Sequence, residues 1–285
     1  VEVLILLFDR AREHTGGVSD QRGVPSFHID QIDHPEQDLI VRILDDQAAL
    51  PGVVRMREWA RAALALQPGE TALDLGSGTG TEVVELAALV GDAGRAIGID
   101  PNPAMLAAAR ERTADVKAEF LEGSAYDLPL PDASVDAVRC ERVYQHLDDP
   151  AKATAEIARV LRPGGRVVLI DSDWSTAIFH PGDPELIAAL QHRMAANSPN
   201  RNSGRRLRGQ LVEAGLVIDD IGSEAVIWEP ESVLAMCAAI TERGVADGSI
   251  TAAQRDRVLA DIEHGAKTGD YHFSVTMFAV VAHKP

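Results

Sequence analysis

From Thr71 onward the apolar positions of the chain switch between two periods. Short apolar runs, TALDL, RAIGID, VKAEFLEG, SVDAVRC and RVVLIDSD, read as strands. Between them lie segments with apolar residues at three- and four-residue spacing: one from Thr79, one from Pro103 and one over Pro150–Leu161, followed by the turn RPGG. Strands that alternate with helices imply right-handed crossovers and a parallel sheet covered on both faces. Further on, DPELIAALQHRM, GRRLRGQLVEAG, ESVLAMCAAITERG and TAAQRDRVLADIEHG read as helices, and VIDDIGSEAVIW and YHFSVTMFAVVAH as strands. The fold class is therefore α/β, doubly wound, with a mostly parallel sheet of seven strands. Helices are added after the fifth strand and between the last two, as a cover over one edge.

Ahead of the first strand the pattern is weaker. Residues 1–33 contain several turn formers (HTGGVSDQRGVPS) and are expected to form an arm that is partly disordered or serves as a packing or swapping segment. The apolar opening VEVLILLF carries Glu2, has no basic leader and is far short of the roughly 20 apolar residues that span a bilayer. From His34 to Gln67 two helices are expected, split by LPG, the second with a stripe of Val54, Trp59, Ala63 and Leu66. The main domain is read as residues 34–285, with 34–67 and about 175–265 as its helical cover.

Composition narrows the partners. The 285 residues are 46% hydrophobic and carry 27 Lys+Arg against 44 Asp+Glu, a net charge of −17 that repels nucleic acid and anionic membrane. Two cysteines, Cys140 and Cys237, lie far apart without metal-ligand spacing, which fits a reducing cytoplasm and implies neither a disulfide framework nor a zinc site.

The chemistry concentrates where the first strand turns into its helix, in ALDLGSGTGTEVVELAALV. In an open parallel sheet, ligands bind beyond the carboxyl ends of the strands at such a turn, and Gly76, Gly78 and Gly80 give its backbone freedom and room. A dinucleotide turn, GxGxxG, would have its third glycine where this chain has Thr81, and Asp74 would repel a diphosphate. A cationic ligand, such as the amino and sulfonium groups of S-adenosylmethionine, would be attracted instead. Asp100, 22 residues beyond Gly78 at the end of the second strand, stands where an acid accepts ribose hydroxyls. Met105 on the following helix can cover an adenine face, and Ser124, Ala125 and Tyr126 are placed to touch its edge.

The ordered set LDLGSGTG, GIDPNPAML, GSAYDLPLPDASVDAV, HLDDP and EIARVLRPGGRVVLID resembles the class I S-adenosylmethionine-dependent methyltransferases, especially the ubiquinone/menaquinone-biosynthesis-like group that acts on small molecules. The resemblance covers about Gly69 to Asp173. It implies a Rossmann-like methyltransferase fold, with Asp74 and the Gly76, Ser77 and Gly78 backbone holding the methionine part of S-adenosyl-L-methionine. It further implies Asp100 and Pro101 at the ribose, and Ser124 and Ala125 at the adenine. Where the family often has Asp after the third-strand glycine, this chain has Ser124, so the adenine amino contact is weaker or comes from neighbouring backbone.

In similar enzymes the segment after the fourth strand, here CERVYQHLDD, passes the methionine moiety, which makes Glu141 and Arg142 cofactor candidates. Arg57 is read either as the partner of the cofactor carboxylate or as a solvated helix arginine. His146 is either a general base beside the acceptor or a turn residue. Trp174, Asp173 and His180 follow the fifth strand as acceptor-pocket candidates or as structural residues. RNSGRRLRGQL is either a greeting for an anionic substrate or a solvated face.

The function that emerges is methyl transfer to an O, N or C nucleophile of a small molecule, such as a secondary metabolite or quinone-like acceptor. The alternative is a protein that binds S-adenosylmethionine without transferring the methyl. A homodimer is compatible with the pattern, and no metal is implied.

Overall fold

The computed structural model describes residue 41, residues 44–196 and residues 198–285, so the arm expected at 1–33 lies outside the described residues, as does the start of the first expected helix. The chain divides into two compact units. One comprises Val53–Ser172, Asn202–Glu224 and Met277–Pro285; the other comprises Asp173–Arg201 and Ala225–Thr276 with the described residues before Val53.

The elements follow in the order α1 (Pro51–Leu64), β1 (Thr71–Leu75), α2 (Thr81–Val90), β2 (Arg95–Asp100), α3 (Pro103–Arg112), β3 (Glu119–Glu122) and β4 (Val135–Glu141). A 3-10 turn (Tyr144–His146) leads to α4 (Pro150–Val160), β5 (Leu161–His180), α5 (Pro184–Ala196), α6 (Ser203–Glu213), β6 (Val217–Ile227), α7 (Pro230–Ala246), α8 (Ala252–Thr268) and β7 (His272–His283). The seven strands lie in the order β3-β2-β1-β4-β5-β7-β6, and β1 to β5 run parallel. Strand order reverses between β1 and β4, so the crevice at their carboxyl ends is the natural ligand site.

In the first unit, β1 is buried along its whole length and its two faces differ in kind. Leu73 and Leu75 join Ile97, Ile99, Val138, Cys140, Val167 and Leu169 in an apolar layer that α4 and α6 cover with Ile157, Val160, Leu207 and Leu211. On the other face Ala72, Ala96, Gly98 and Ala137 are small, and α2 packs there against β1 and β2. In the second unit α5, α7 and α8 share a core of Leu190, Met194, Val233, Cys237, Ile240, Val258 and Ile262 with Phe273 and Val275.

Three details depart from the sequence reading. The buried stripe of α1 is Val53, Met56, Ala60 and Leu64, whereas Val54 is exposed; both sets have helical spacing, and packing decides between them. Trp59 instead lies over Gly222, where a Cβ would stand 3.4 Å from the indole. Helix α2 begins at Thr81 and not at Thr79, because Gly80 adopts the left-handed conformation (φ 79°) at its N-cap. RPGG forms no free turn but a bulge within β5. Pairing with β4 jumps from Val135–Leu161 to Ala137–Arg166, and Gly164 and Gly165 exchange backbone hydrogen bonds with Lys284 at 2.7 and 2.9 Å.

Two glycines should respond in opposite directions to the same substitution. A Cβ on Gly80 would stand 2.9 Å from Phe120 Cζ and 3.0 Å from Ala109 Cβ at a positive φ, so Gly80→Ala should cost about 1–3 kcal/mol in a urea titration. Gly209, inside α6 with no described residue within 4 Å of its Cβ position, should gain about 0.4–1 kcal/mol on change to Ala.

Candidate functional site

The turn after β1 opens at Gly76 (φ 74°), whose amide donates to Ile99 O at 2.7 Å. A Cβ there would lie 2.2 Å from Val143 Cγ2, so the turn and the segment after β4 touch where only glycine fits. Gly78 (φ 50°) differs: among the described residues nothing lies within 4 Å of its Cβ position, which leaves the backbone open there. Ser77 Oγ is buried and has no hydrogen-bond partner among the described residues.

Two carboxylates bracket this turn and are held by different means. Asp100 Oδ2 accepts from the Gly78 amide at 2.9 Å and Oδ1 from the Asn102 amide at 2.9 Å. Burial nevertheless raises its pKa from the usual carboxylate value. Asn102 in turn caps α3, its Oδ1 accepting from the Ala104 and Met105 amides at 2.9 and 3.4 Å.

Asp74 is fully buried within β1 and lies opposite Arg139 of β4 in register, where Arg139 Nη1 donates to its Oδ1 at 2.9 Å. The same guanidinium donates through Nη2 to Glu141, and its Nε stands 3.2 Å from Glu82 Oε2 as an ion contact without hydrogen-bond alignment. Arg61 holds both oxygens of Glu82 at 2.9 and 3.0 Å. Burial pushes the Asp74 carboxyl up to about 6 even against the pull of Arg139. At neutral pH the pair is ionic, because the three acids hold Arg139 charged despite its burial.

Arg57 closes its fork on Glu141, with Nε to Oε2 at 2.9 Å and Nη2 to Oε1 at 2.8 Å. Glu141 is the hub of the cluster. Burial alone would raise its pKa, but Arg139, Arg142 and Arg57 hold it well below the usual range. Arg142 takes a positive φ of 55°, and its amide donates to Ile170 O at 2.8 Å.

Met105 and Ala125 are buried, and Pro101 is exposed. Ser124 turns its Oγ onto its own loop, accepting from the Tyr126 amide at 3.1 Å. The Tyr126 hydroxyl accepts from the Asp148 and Asp149 amides at 2.8 and 3.2 Å, which ties the loop after β3 to the segment after β4. His146 closes the 3-10 turn, its amide donating to Val143 O at 2.9 Å.

In the second unit, Asp173 is buried and accepts from the Ser175 amide at 3.1 Å. Trp174 packs near Trp228 with ring centroids 6.4 Å apart. His180 is exposed and paired with Asp270 at 2.9 Å. Arg205, Arg206 and Arg208 lie on the exposed side of α6.

Three residues at the site escaped the sequence reading: Arg139, Glu82 and Asp171. Arg139 had a signal, since a charge inside an otherwise apolar central strand must find a buried partner, and Asp74 is the matching anomaly in the neighbouring strand. Asp171 accepts from the Gln145 and Ser172 amides at 2.8 and 2.7 Å and from Ser203 Oγ at 3.1 Å. Burial still lifts its carboxyl to about 7. Among the described residues no group of three or more His, Cys, Asp or Glu is arranged to hold a metal ion, and no helix is long and apolar enough to cross a membrane.

Residues 73–169 match a family described as a methyltransferase domain. The chain is 36% identical over 248 residues to an uncharacterized 37.1 kDa protein in transposon TN4556 of Streptomyces fradiae, covering 85% of this chain and 70% of that one. It is 30% identical over 162 residues to the demethylmenaquinone methyltransferase of Oceanobacillus iheyensis, covering 55% and 68%. It spans 60% or less of the length of three other curated relatives. A crystal structure of a SAM-dependent methyltransferase from Aquifex aeolicus shares the fold with a TM-score of 0.53 at 19% identity, covering 88% of this chain and 98% of that one.

Asp171 makes stability depend on pH with a definite sign. Its folded pKa, about 7, lies above the 3.8 of a free aspartate, so the folded state holds the proton longer, and stability present below about pH 4 is lost as pH rises toward 7. Asp171→Asn removes that slope, so the variant should gain stability relative to the wild type between pH 4 and 7 in parallel urea titrations.

Proposed function

The chain belongs to the class I S-adenosylmethionine-dependent methyltransferases, and on that premise we propose that it moves a methyl group to an O, N or C nucleophile of a small molecule. One observation carries the reading. The glycine turn at the β1/β4 switch point is flanked by two buried carboxylates, Asp74 and Asp100, which suit a cationic nucleoside and repel a diphosphate.

The residues fit such a ligand. Gly78 leaves backbone open at the turn, and Ser77 Oγ is a buried hydroxyl in want of a partner. Asp100 has accepted one N–H at each oxygen and retains lone pairs for two ribose hydroxyls. Asp74 faces the amino group of the methionine part, the loop Ser124–Tyr126 flanks the adenine, and Arg57 and Glu141 act as a pair beneath the turn. S-adenosylmethionine supplies a methyl on a sulfonium sulfur, a leaving group that needs no protein acid. The chain therefore has to align the acceptor nucleophile with the methyl–sulfur bond and exclude water. His146 stands on the segment after β4, within the family's acceptor side, as the group that takes an acceptor proton. A net charge of −17 favours a small molecule over nucleic acid, and two buried thiols suit a reducing cytoplasm.

Thermal unfolding with S-adenosylhomocysteine should raise the Tm, whereas NADH should not. Asp100→Ala should weaken that ligand by about tenfold or more, the loss of a charge-assisted hydrogen-bond pair. Incubation with S-adenosylmethionine and a panel of phenols, quinols and amines, read by mass, should show a methyl added to at least one class. Binding without transfer to any of them would favour a sensing role.

A further inference from the structure

Asp74 carries a feature that its place at the turn does not by itself explain. It is buried within a central strand, and Arg139 Nη1 on Oδ1 is the side-chain hydrogen bond that the described residues offer it. Its second oxygen keeps its lone pairs. The groups that face Asp74 are Arg139 from β4, Glu82 from α2 and Glu141 at the end of β4. Arg139 touches all three acids, and Arg57 and Arg61 of α1 close the cluster from the outside. Arg139 thus lies below the turn, with its donors directed at carboxylates.

We propose that Arg139 is a positioning residue for the cofactor turn: its guanidinium holds Asp74 ionised and in place by Oδ1, so that Oδ2 can receive the cofactor's amino cation, although Arg139 itself never meets the cofactor. This inference rests on the methyltransferase reading. Three neighbouring conditions make it specific. Burial and the two like charges of Glu82 and Glu141 drive Asp74 toward its neutral form, and Arg139 is the main group that opposes them. The balance leaves the carboxyl near 6, close enough to neutrality that the turn's affinity for a cation should itself titrate. Removal of the guanidinium would tip the carboxyl to its uncharged form at neutral pH, whereas removal of Glu82's charge would tip it the other way.

The test is calorimetric titration of the full chain with S-adenosylhomocysteine across pH 5.5 to 8.5, with circular dichroism to confirm folding of each variant. In the wild type, affinity should fall as pH drops through about 6. Asp74→Asn should remove that inflection. Arg139→Met should move it upward by about 1 pH unit or more and weaken binding at pH 7 by about tenfold, the effect of a lost ion-pair partner. Arg139→Lys, with one cation but no fork to bridge three acids, should fall between the two. Glu82→Gln, which leaves Arg139 in place, should move the inflection down, and this keeps the inference testable should Arg139→Met fail to fold. An inflection that stays put in folded Arg139→Met and in Glu82→Gln, or that survives Asp74→Asn, overturns the role of Arg139 alone. A wild type that binds no S-adenosylhomocysteine at any pH overturns the methyltransferase reading as well.

Discussion

The site is organised around a single buried contact, the 2.9 Å pair between Asp74 of β1 and Arg139 of β4. Two charges removed from water in adjacent central strands are expensive, and the attraction between them offsets that cost better when further partners surround the pair. Here the accounting extends outward. Four guanidiniums (Arg57, Arg61, Arg139, Arg142) meet three carboxylates (Asp74, Glu82, Glu141) drawn from β1, β4, α1 and α2. The cationic surplus lets three closely spaced carboxylates remain ionised. It also ties α1 to α2 through Arg61 and Glu82, and each of them to β4 through Arg57–Glu141 and Glu82–Arg139.

Above that layer the turn combines two ways of keeping a carboxylate ready. Asp74 depends on a guanidinium, Asp100 on backbone amides of Gly78 and Asn102. The second arrangement ties Asp100 to the turn itself, because one of the amides that steady it belongs to Gly78, the open position of that turn. Geometry at the turn and charge around it are therefore one design, in which a bulkier residue at Gly76 would displace Val143 and a shifted Gly78 would release Asp100.

Much of the fold was legible because its strands are apolar runs broken by helices of a different period, and all seven strands lie where those runs occur. The glycine turn and its two acids were equally plain, since Gly, Asp and their spacing act through local backbone. What stayed hidden depends on pairing between strands. Arg57 reads as a helix arginine until β4 brings Glu141 under it, and Asp171 looks like one acid among several in LIDSD until Gln145 and Ser203 converge on it. The stripe expected for the helix before β1 was only partly right: Leu66 is buried and Val54 is exposed, because apolar residues lie on more than one side of α1 and packing selects among them.

The segment after β4 is fastened at three separate points. Val143 lies against Gly76, the Gln145 amide is held by Asp171, and the Asp148 and Asp149 amides are held by the Tyr126 hydroxyl. A strip of seven residues pinned this often behaves as a staple and not as a hinge. A side chain exchanged along it would sit on a backbone held from three sides, so the effect of the exchange should stay local.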